Sequence, residues 1–179
     1  TKALLKSAEV FETIRHAKEY GIIADNVRAD FGGVVKRSRD VADGMSKGIA
    51  FLMKKNKVTV LKGTAHFAGA DSVVITAADG TAITVTADHF LIATGGRPRQ
   101  FPHLPVDGKR VFNAREAMCL PEQPKSLACI GAGAIGMEFG YFYQAMGTPV
   151  HIIEVMDQVL PVEDHEAAKF VERAFTKLG

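Results

Sequence analysis

Apolar positions recur at helical spacing near the start of the chain, at Ala3, Leu4, Ala8, Phe11 and Ile14, and predict a helix over 1–20 that Gly21 stops. A loop over 21–31 follows. A second, longer helical pattern covers 31–56, with Val34, Val35, Val41, Met45, Ile49, Leu52 and Met53 on its apolar face. Gly32, Gly33, Gly44 and Gly48 weaken that helix, each by about 1 kcal/mol against alanine in a helix interior. The pattern then changes. Short β-rich runs at 57–61, 65–68, 72–76 and 82–86, punctuated by Gly63, Gly69-Ala70-Asp71 and Asp79-Gly80, predict antiparallel hairpins with a tight turn at Asp79-Gly80. A further apolar strand is predicted over 88–93, closing at Thr94-Gly95-Gly96. Pro98, Pro102, Pro105 and Pro121 then break up 97–123 and predict a connector.

The last third reads differently. An apolar run, 126–130, enters Gly131-Ala132-Gly133-Ala134-Ile135-Gly136, and an amphipathic helical run, 138–146, leaves it. Strand, glycine turn and helix give G-x-G-x-x-G its meaning; the hexapeptide alone carries little. Gly131 permits the sharp turn, Gly133 lets backbone approach a pyrophosphate, and Gly136 lets helix pack closely on strand. The unpaired N–H groups at the helix start then face the phosphates. A second strand is predicted over 148–155. Its Glu154 lies roughly twenty residues past the glycines, where a carboxylate binds the adenosine ribose hydroxyls. A carboxylate there repels a 2′-phosphate, which favours NAD over NADP. A final helix is predicted over 162–178, with Glu163, Asp164 and Glu166 in its first turn, where negative charge suits the helix dipole. The fold class is therefore α/β. A parallel sheet of two strands cannot cover itself.

Composition narrows the function classes. The 179 residues carry a net charge of +2 and are 47% hydrophobic and 23% charged, ordinary values for a globular protein. No basic stripe with interleaved aromatics argues for a nucleic-acid partner, and no apolar run is long enough to cross a bilayer. Cys119 and Cys129 form no metal or C-x-x-C spacing, and the six histidines are scattered without ligand spacing, so no metal site is expected. Cys129 reads as filler in a buried strand.

Several residue groups recur together in one family. They are Thr1-Lys2-Ala3-Leu4-Leu5, Leu91-Ile92-Ala93-Thr94-Gly95, the run from Ile130 through the glycine motif to Met137-Glu138, and Glu154. With these the chain, over essentially all its length, resembles the dihydrolipoamide dehydrogenases, within the FAD- and NAD-dependent disulfide reductases. The resemblance implies an internal fragment: a partial FAD-binding domain (1–96, helices plus an antiparallel meander), a connector (97–125) and the N-terminal half of a Rossmann-like NAD-binding domain (126–179). The family's first glycine motif, its redox cysteine pair and its C-terminal His-Glu pair would lie outside the chain.

The resemblance also implies roles. A lysine at the Lys2 position sits beside the flavin and pairs with a glutamate at the Glu138 position, where a cation stabilises charge developing on reduced flavin. That glutamate also borders the nicotinamide. Ala65, after Gly63-Thr64, marks a backbone contact with the flavin adenine. Thr94, Gly95 and Gly96 match a turn near the FAD adenosine, with Gly96 where serine is common. Gly131, Ala132, Gly133, Ala134, Ile135, Gly136, Met137, Glu138 and Glu154 make up the NAD site. The implied activity of the intact protein is oxidation of dihydrolipoamide, free or on a lipoyl domain, with reduction of NAD through FAD and a redox disulfide. The implied setting is a homodimer in the bacterial cytoplasm or the mitochondrial matrix. A mercuric or other disulfide reductase of the same superfamily is the alternative; another is a non-catalytic nucleotide-binding remnant, with the fragment alone expected to be inactive.

Overall fold

The computed structural model describes residues 1–179. Packing divides them into two compact units that cut across chain order: Thr1–Asp43 with Pro98–Gly179, and Gly44–Arg97.

The first unit is built on helix α4 (Ala134–Ala145). It follows strand β4 (Leu127–Ile130) and precedes β5 (Val150–Ile153); the two strands are parallel, with Leu127 opposite Val150 and Ile130 opposite Ile153. Parallel neighbours need a crossover connection, and a helix supplies it here. The run after the glycines reads as amphipathic from Glu138. Instead α4 starts at Ala134 and buries Met137, Phe139, Gly140, Phe142, Tyr143 and Ala145, which spread around most of its circumference. A helix apolar on most faces is an interior helix. Helix α1 (Lys2–Arg15) brings Leu4 and Ala8 to it, and α2 (Phe31–Lys55) brings Phe31. The Phe31 ring lies 6.2 Å from Phe142 and 6.0 Å from Tyr143, and Phe142 meets Tyr143 edge-on at 4.9 Å. These tilted and edge-to-face arrangements are the favoured aromatic geometries.

Helix α1 is shorter than its apolar pattern. It ends at Arg15, and a separate 3-10 turn, Ala17–Tyr20, carries the chain to Gly21. The proline-broken connector contains a short helix, α3 (Ala114–Ala117), made possible by a capping box. The Asn113 side chain accepts from Arg115 N, and Glu116 Oε2 accepts from Asn113 N. Tyr143 Oη donates to Ala117 O at 2.6 Å and ties this helix to the core. Helix α5 (His165–Lys177) begins later than its charge pattern indicates: Asp164 is its N-cap and Glu163 lies outside, leaving Glu166 as the acidic residue of the first turn. A capping side chain uses the orphan N–H groups more directly than a charge along the dipole.

The second unit is a three-stranded antiparallel meander, β1 (Thr64–Phe67), β2 (Ser72–Thr76) and β3 (Ala82–Thr86). Thr64 faces Thr76 and Ser72 faces Thr86. At the β2–β3 turn, Asp79 Oδ1 accepts from Thr81 N. Two expected strands are not formed. The segments 57–61 and 88–93 have β-rich composition but no neighbouring backbone to ladder with, and Leu91 and Ile92 are exposed. A strand is defined by its partner, and composition alone supplies none.

Candidate functional site at the glycine loop

The glycine loop is held between the ends of β4 and β5. Gly131 adopts φ +104 and donates its N–H to Ile153 O at 2.8 Å, which continues the parallel ladder by one bond. A Cβ on Gly136 would stand 2.0 Å from Gly131 O, so only glycine lets the first turn of α4 come so close to the loop. A Cβ on Gly133 would meet nothing, and the face of the loop at this N-cap residue is open. The first N–H groups of α4 have no intrahelical acceptor and carry the positive end of its dipole. Together these features suit a pyrophosphate, which needs backbone donors, positive potential and no side chain in the way.

Glu154 stands just past β5. Its Oε2 accepts from Ala132 N at 2.8 Å, and its Oε1 accepts from Val155 N at 2.8 Å and Met156 N at 2.9 Å. The Met156 and Ala132 amides, with Val155, hold its carboxyl below the usual carboxylate range. The group is thus kept anionic and fixed in orientation.

At the other end of the first turn of α4, Glu138 Oε1 is ion-paired with Lys2 Nζ of α1. Lys2 is largely exposed, with 81% of its side chain accessible, and Glu138 is more sheltered at 27%. A cleft of about 510 Å³ opens beside this pair, lined by Leu5, Met137, Glu138, Tyr141, Leu160 and Phe175. Burial, with the charges of Glu12 and Glu9 adding to it, pushes the Tyr141 phenol up.

The remaining residues named from the sequence lie in the other compact unit: Ala65 is exposed on β1, and Thr94, Gly95 and Gly96 form an exposed segment in which Gly95 takes φ +76. The structure therefore brings Lys2 to Glu138 and Glu154 to the glycine loop. Two contributors are not visible in the sequence. Leu160 N donates to Ala132 O at 2.7 Å, and Gln158 braces the segment around Leu160. Nothing in the composition of 155–164 marks either one. Cys119 is exposed, Cys129 is half-buried with its thiol pushed up by burial, and no group of three or more His, Cys, Asp or Glu comes together that could hold a metal.

A family profile described as pyridine nucleotide-disulphide oxidoreductase matches residues 1–179. The chain belongs to that family. It is 44% identical over all its 179 residues to a dihydrolipoyl dehydrogenase of Chlorobaculum tepidum, of which it spans 38%. It is 41% identical to the protein of that name from Mycobacterium bovis, again over the whole chain and 38% of the relative. The crystal structure of LpdA from Mycobacterium tuberculosis superposes with a TM-score of 0.90 at 29% identity, covering 99% of this chain and 39% of that one. A flavoprotein disulfide reductase from Escherichia coli, RclA, shares the fold with a TM-score of 0.79 at 22% identity, over 99% of this chain and 37% of its own. The chain thus spans well under half the length of these relatives. Its helices, antiparallel meander and parallel β-α-β unit match part of the family's α/β fold. No helix is long and apolar enough to cross a membrane.

Proposed function

We propose that this chain is part of a flavoprotein that oxidises dihydrolipoamide and reduces NAD. In this reading 1–96 is the remainder of the FAD-binding domain, 97–125 a connector and 126–179 the N-terminal half of the NAD-binding domain. The observation that carries the reading is the glycine loop with a fixed, anionic Glu154 at one end and the Lys2–Glu138 pair at the other. It is supported by the dihydrolipoyl dehydrogenases to which the whole chain is similar.

The loop and the start of α4 would hold the NAD pyrophosphate, and Glu154 would take the adenosine ribose hydroxyls. Its Oε1 already accepts two N–H bonds and its Oε2 one, so Oε2 retains the more accessible acceptor site. Glu138 holds the Lys2 ammonium on the α4 side, and that ammonium would stabilise negative charge on a flavin placed beside it. Ala65 and the turn Thr94-Gly95-Gly96 would border the FAD adenosine. Bound FAD would supply the two-electron relay between the dithiol and NAD. The redox disulfide, the homodimer partner and the lipoyl substrate belong to the same reading of the intact protein.

The test is the flavin spectrum and dihydrolipoamide:NAD turnover of the intact protein. Yellow, flavin-loaded protein with turnover that falls in Glu138→Gln supports the reading; colourless protein without turnover contradicts it. The 179 residues alone, supplied with FAD, are expected to give no turnover. Turnover that Cys119→Ser or Cys129→Ser abolishes would make those thiols the redox pair and overturn the fragment reading.

A further inference from the structure

Ala132, the second residue of the glycine loop, is fully buried, and both of its backbone polar groups are held by one connection. Its N–H donates to Glu154 Oε2 at 2.8 Å, and its carbonyl accepts from Leu160 N at 2.7 Å. Both partners lie in the segment between β5 and α5. Leu160 reaches its position in a left-handed conformation, φ +49, directly before Pro161. That conformation is unfavourable for a branched side chain and persists only where surrounding contacts fix it.

The contacts are present. Gln158 Nε2 donates to Glu163 O at 3.1 Å and lies 3.4 Å from Leu160 O. Gln158 Oε1 accepts from His165 Nδ1 at 2.6 Å. Glu163 N donates to Leu160 O at 2.9 Å, closing a turn over Pro161. His165 opens α5, so the brace runs from the helix through Gln158 to the turn that presents Leu160 N.

We infer that the 154–165 connection is a two-point clamp that presets the glycine loop for its dinucleotide, and that Gln158 is a positioning residue for that clamp. The inference rests on the dinucleotide reading of the loop. It adds that the loop is formed before ligand arrives, so that binding need not order it. Gln158 touches no part of the proposed ligand site; it acts through Leu160 and Ala132.

The experiment uses the intact protein without nucleotide. Hydrogen–deuterium exchange followed by mass spectrometry is read over peptides covering 131–135 and 155–161, for wild type, Gln158→Ala, Glu154→Gln and Leu160→Gly. The clamp predicts slow exchange at the Gly131 and Ala132 amides in wild type and faster exchange there in Gln158→Ala and Glu154→Gln. Leu160→Gly keeps the N–H and is expected to keep those two amides slow. The NAD KM is then measured. Gln158→Ala should raise it about three- to tenfold, the scale of one neutral hydrogen bond, with kcat held. Gln158→Glu keeps the His165 contact but replaces the Nε2 donor with an oxygen facing the Leu160 and Glu163 carbonyls, so it should not recover the loss. Unchanged exchange at Gly131 and Ala132 in both Gln158→Ala and Glu154→Gln overturns the clamp. Faster exchange with an unchanged NAD KM overturns the presetting. Failure of wild type to bind NAD while exchange follows the predicted pattern contradicts the dinucleotide reading and leaves the clamp standing as loop structure only.

Discussion

The two compact units of this chain reach order by different routes. The unit of Thr1–Asp43 with Pro98–Gly179 contains every buried apolar residue, including Leu4, Phe31, Phe139, Phe142 and Tyr143; the unit Gly44–Arg97 contains none. In the first, helices and strands are placed by a shared aromatic and aliphatic core. In the second, three strands are set by turn residues and a hydrogen-bond ladder, with Phe67 meeting Phe90 edge-on at 5.1 Å as its aromatic contact. A functional side chain keeps its geometry best where the elements that support it are locked by packing. That is why Glu154, Glu138 and the glycine loop can form a defined site in the first unit, while Ala65 and Thr94-Gly95-Gly96 lie exposed in the second.

The sharpest test of this contrast is a pair of truncations. Phe142→Ala removes a fully buried ring and should cost about 3–5 kcal/mol in denaturant unfolding. Phe67→Ala, at a side chain 51% exposed, should cost no more than about 1.5 kcal/mol, the scale of one aromatic pair. Equal losses would mean that the meander has a core of its own.

Next in size is Gly136→Ala. The added methyl would lie 2.0 Å from Gly131 O, a backbone atom that cannot rotate away. The loop must move, at a cost of about 1–3 kcal/mol, and NAD affinity should fall with it. Gly133→Ala meets open space in the same loop and should spare stability. Stability loss in Gly133→Ala but not in Gly136→Ala would contradict the packing described for the loop.

The smallest effect is pH-dependent. Burial, with Cys129 and Cys119 adding to it, pushes the Tyr143 phenol up to about 12, from an ordinary value near 10. The folded state therefore holds that proton where the unfolded chain has released it. Its contribution is complete below about pH 10 and is lost as pH rises through about 12. Tyr143→Phe should remove this alkaline slope. It should also lower stability at neutral pH by about 0.5–1.5 kcal/mol, for the lost bond to Ala117 O. A slope that survives the substitution would assign it to another group.

The same contrast explains what could be read from the chain alone. Strands β2 and β3 appear in the sequence with their observed bounds, because β-rich runs between turn residues are local information. The glycine loop and β4 are legible for a similar reason: each glycine answers a steric demand within a few residues. The segments 57–61 and 88–93 have the same local grammar but no partner strand, and pairing is not written in the segment itself. The amphipathic pattern of α4 begins at Glu138, yet Ala134–Met137 already belongs to the helix because glycine and alanine suit a helix start pressed against strands. Leu160 and Gln158 were not legible at all. Their effect depends on a left-handed residue and on bonds to a loop nearly thirty residues earlier, which no periodicity reports.

The central claim is that a fixed, anionic Glu154 beside the glycine loop selects NAD. The direct measurement is the ratio of kcat/KM for NAD and NADP in the intact protein and in Glu154→Arg. The arginine exchanges a charge that repels a 2′-phosphate for one that pairs with it, an effect on the order of tenfold to a hundredfold for a charge-assisted hydrogen bond. The account predicts a wild type that prefers NAD and a variant whose ratio moves towards NADP by that amount. A ratio unchanged in Glu154→Arg would contradict it.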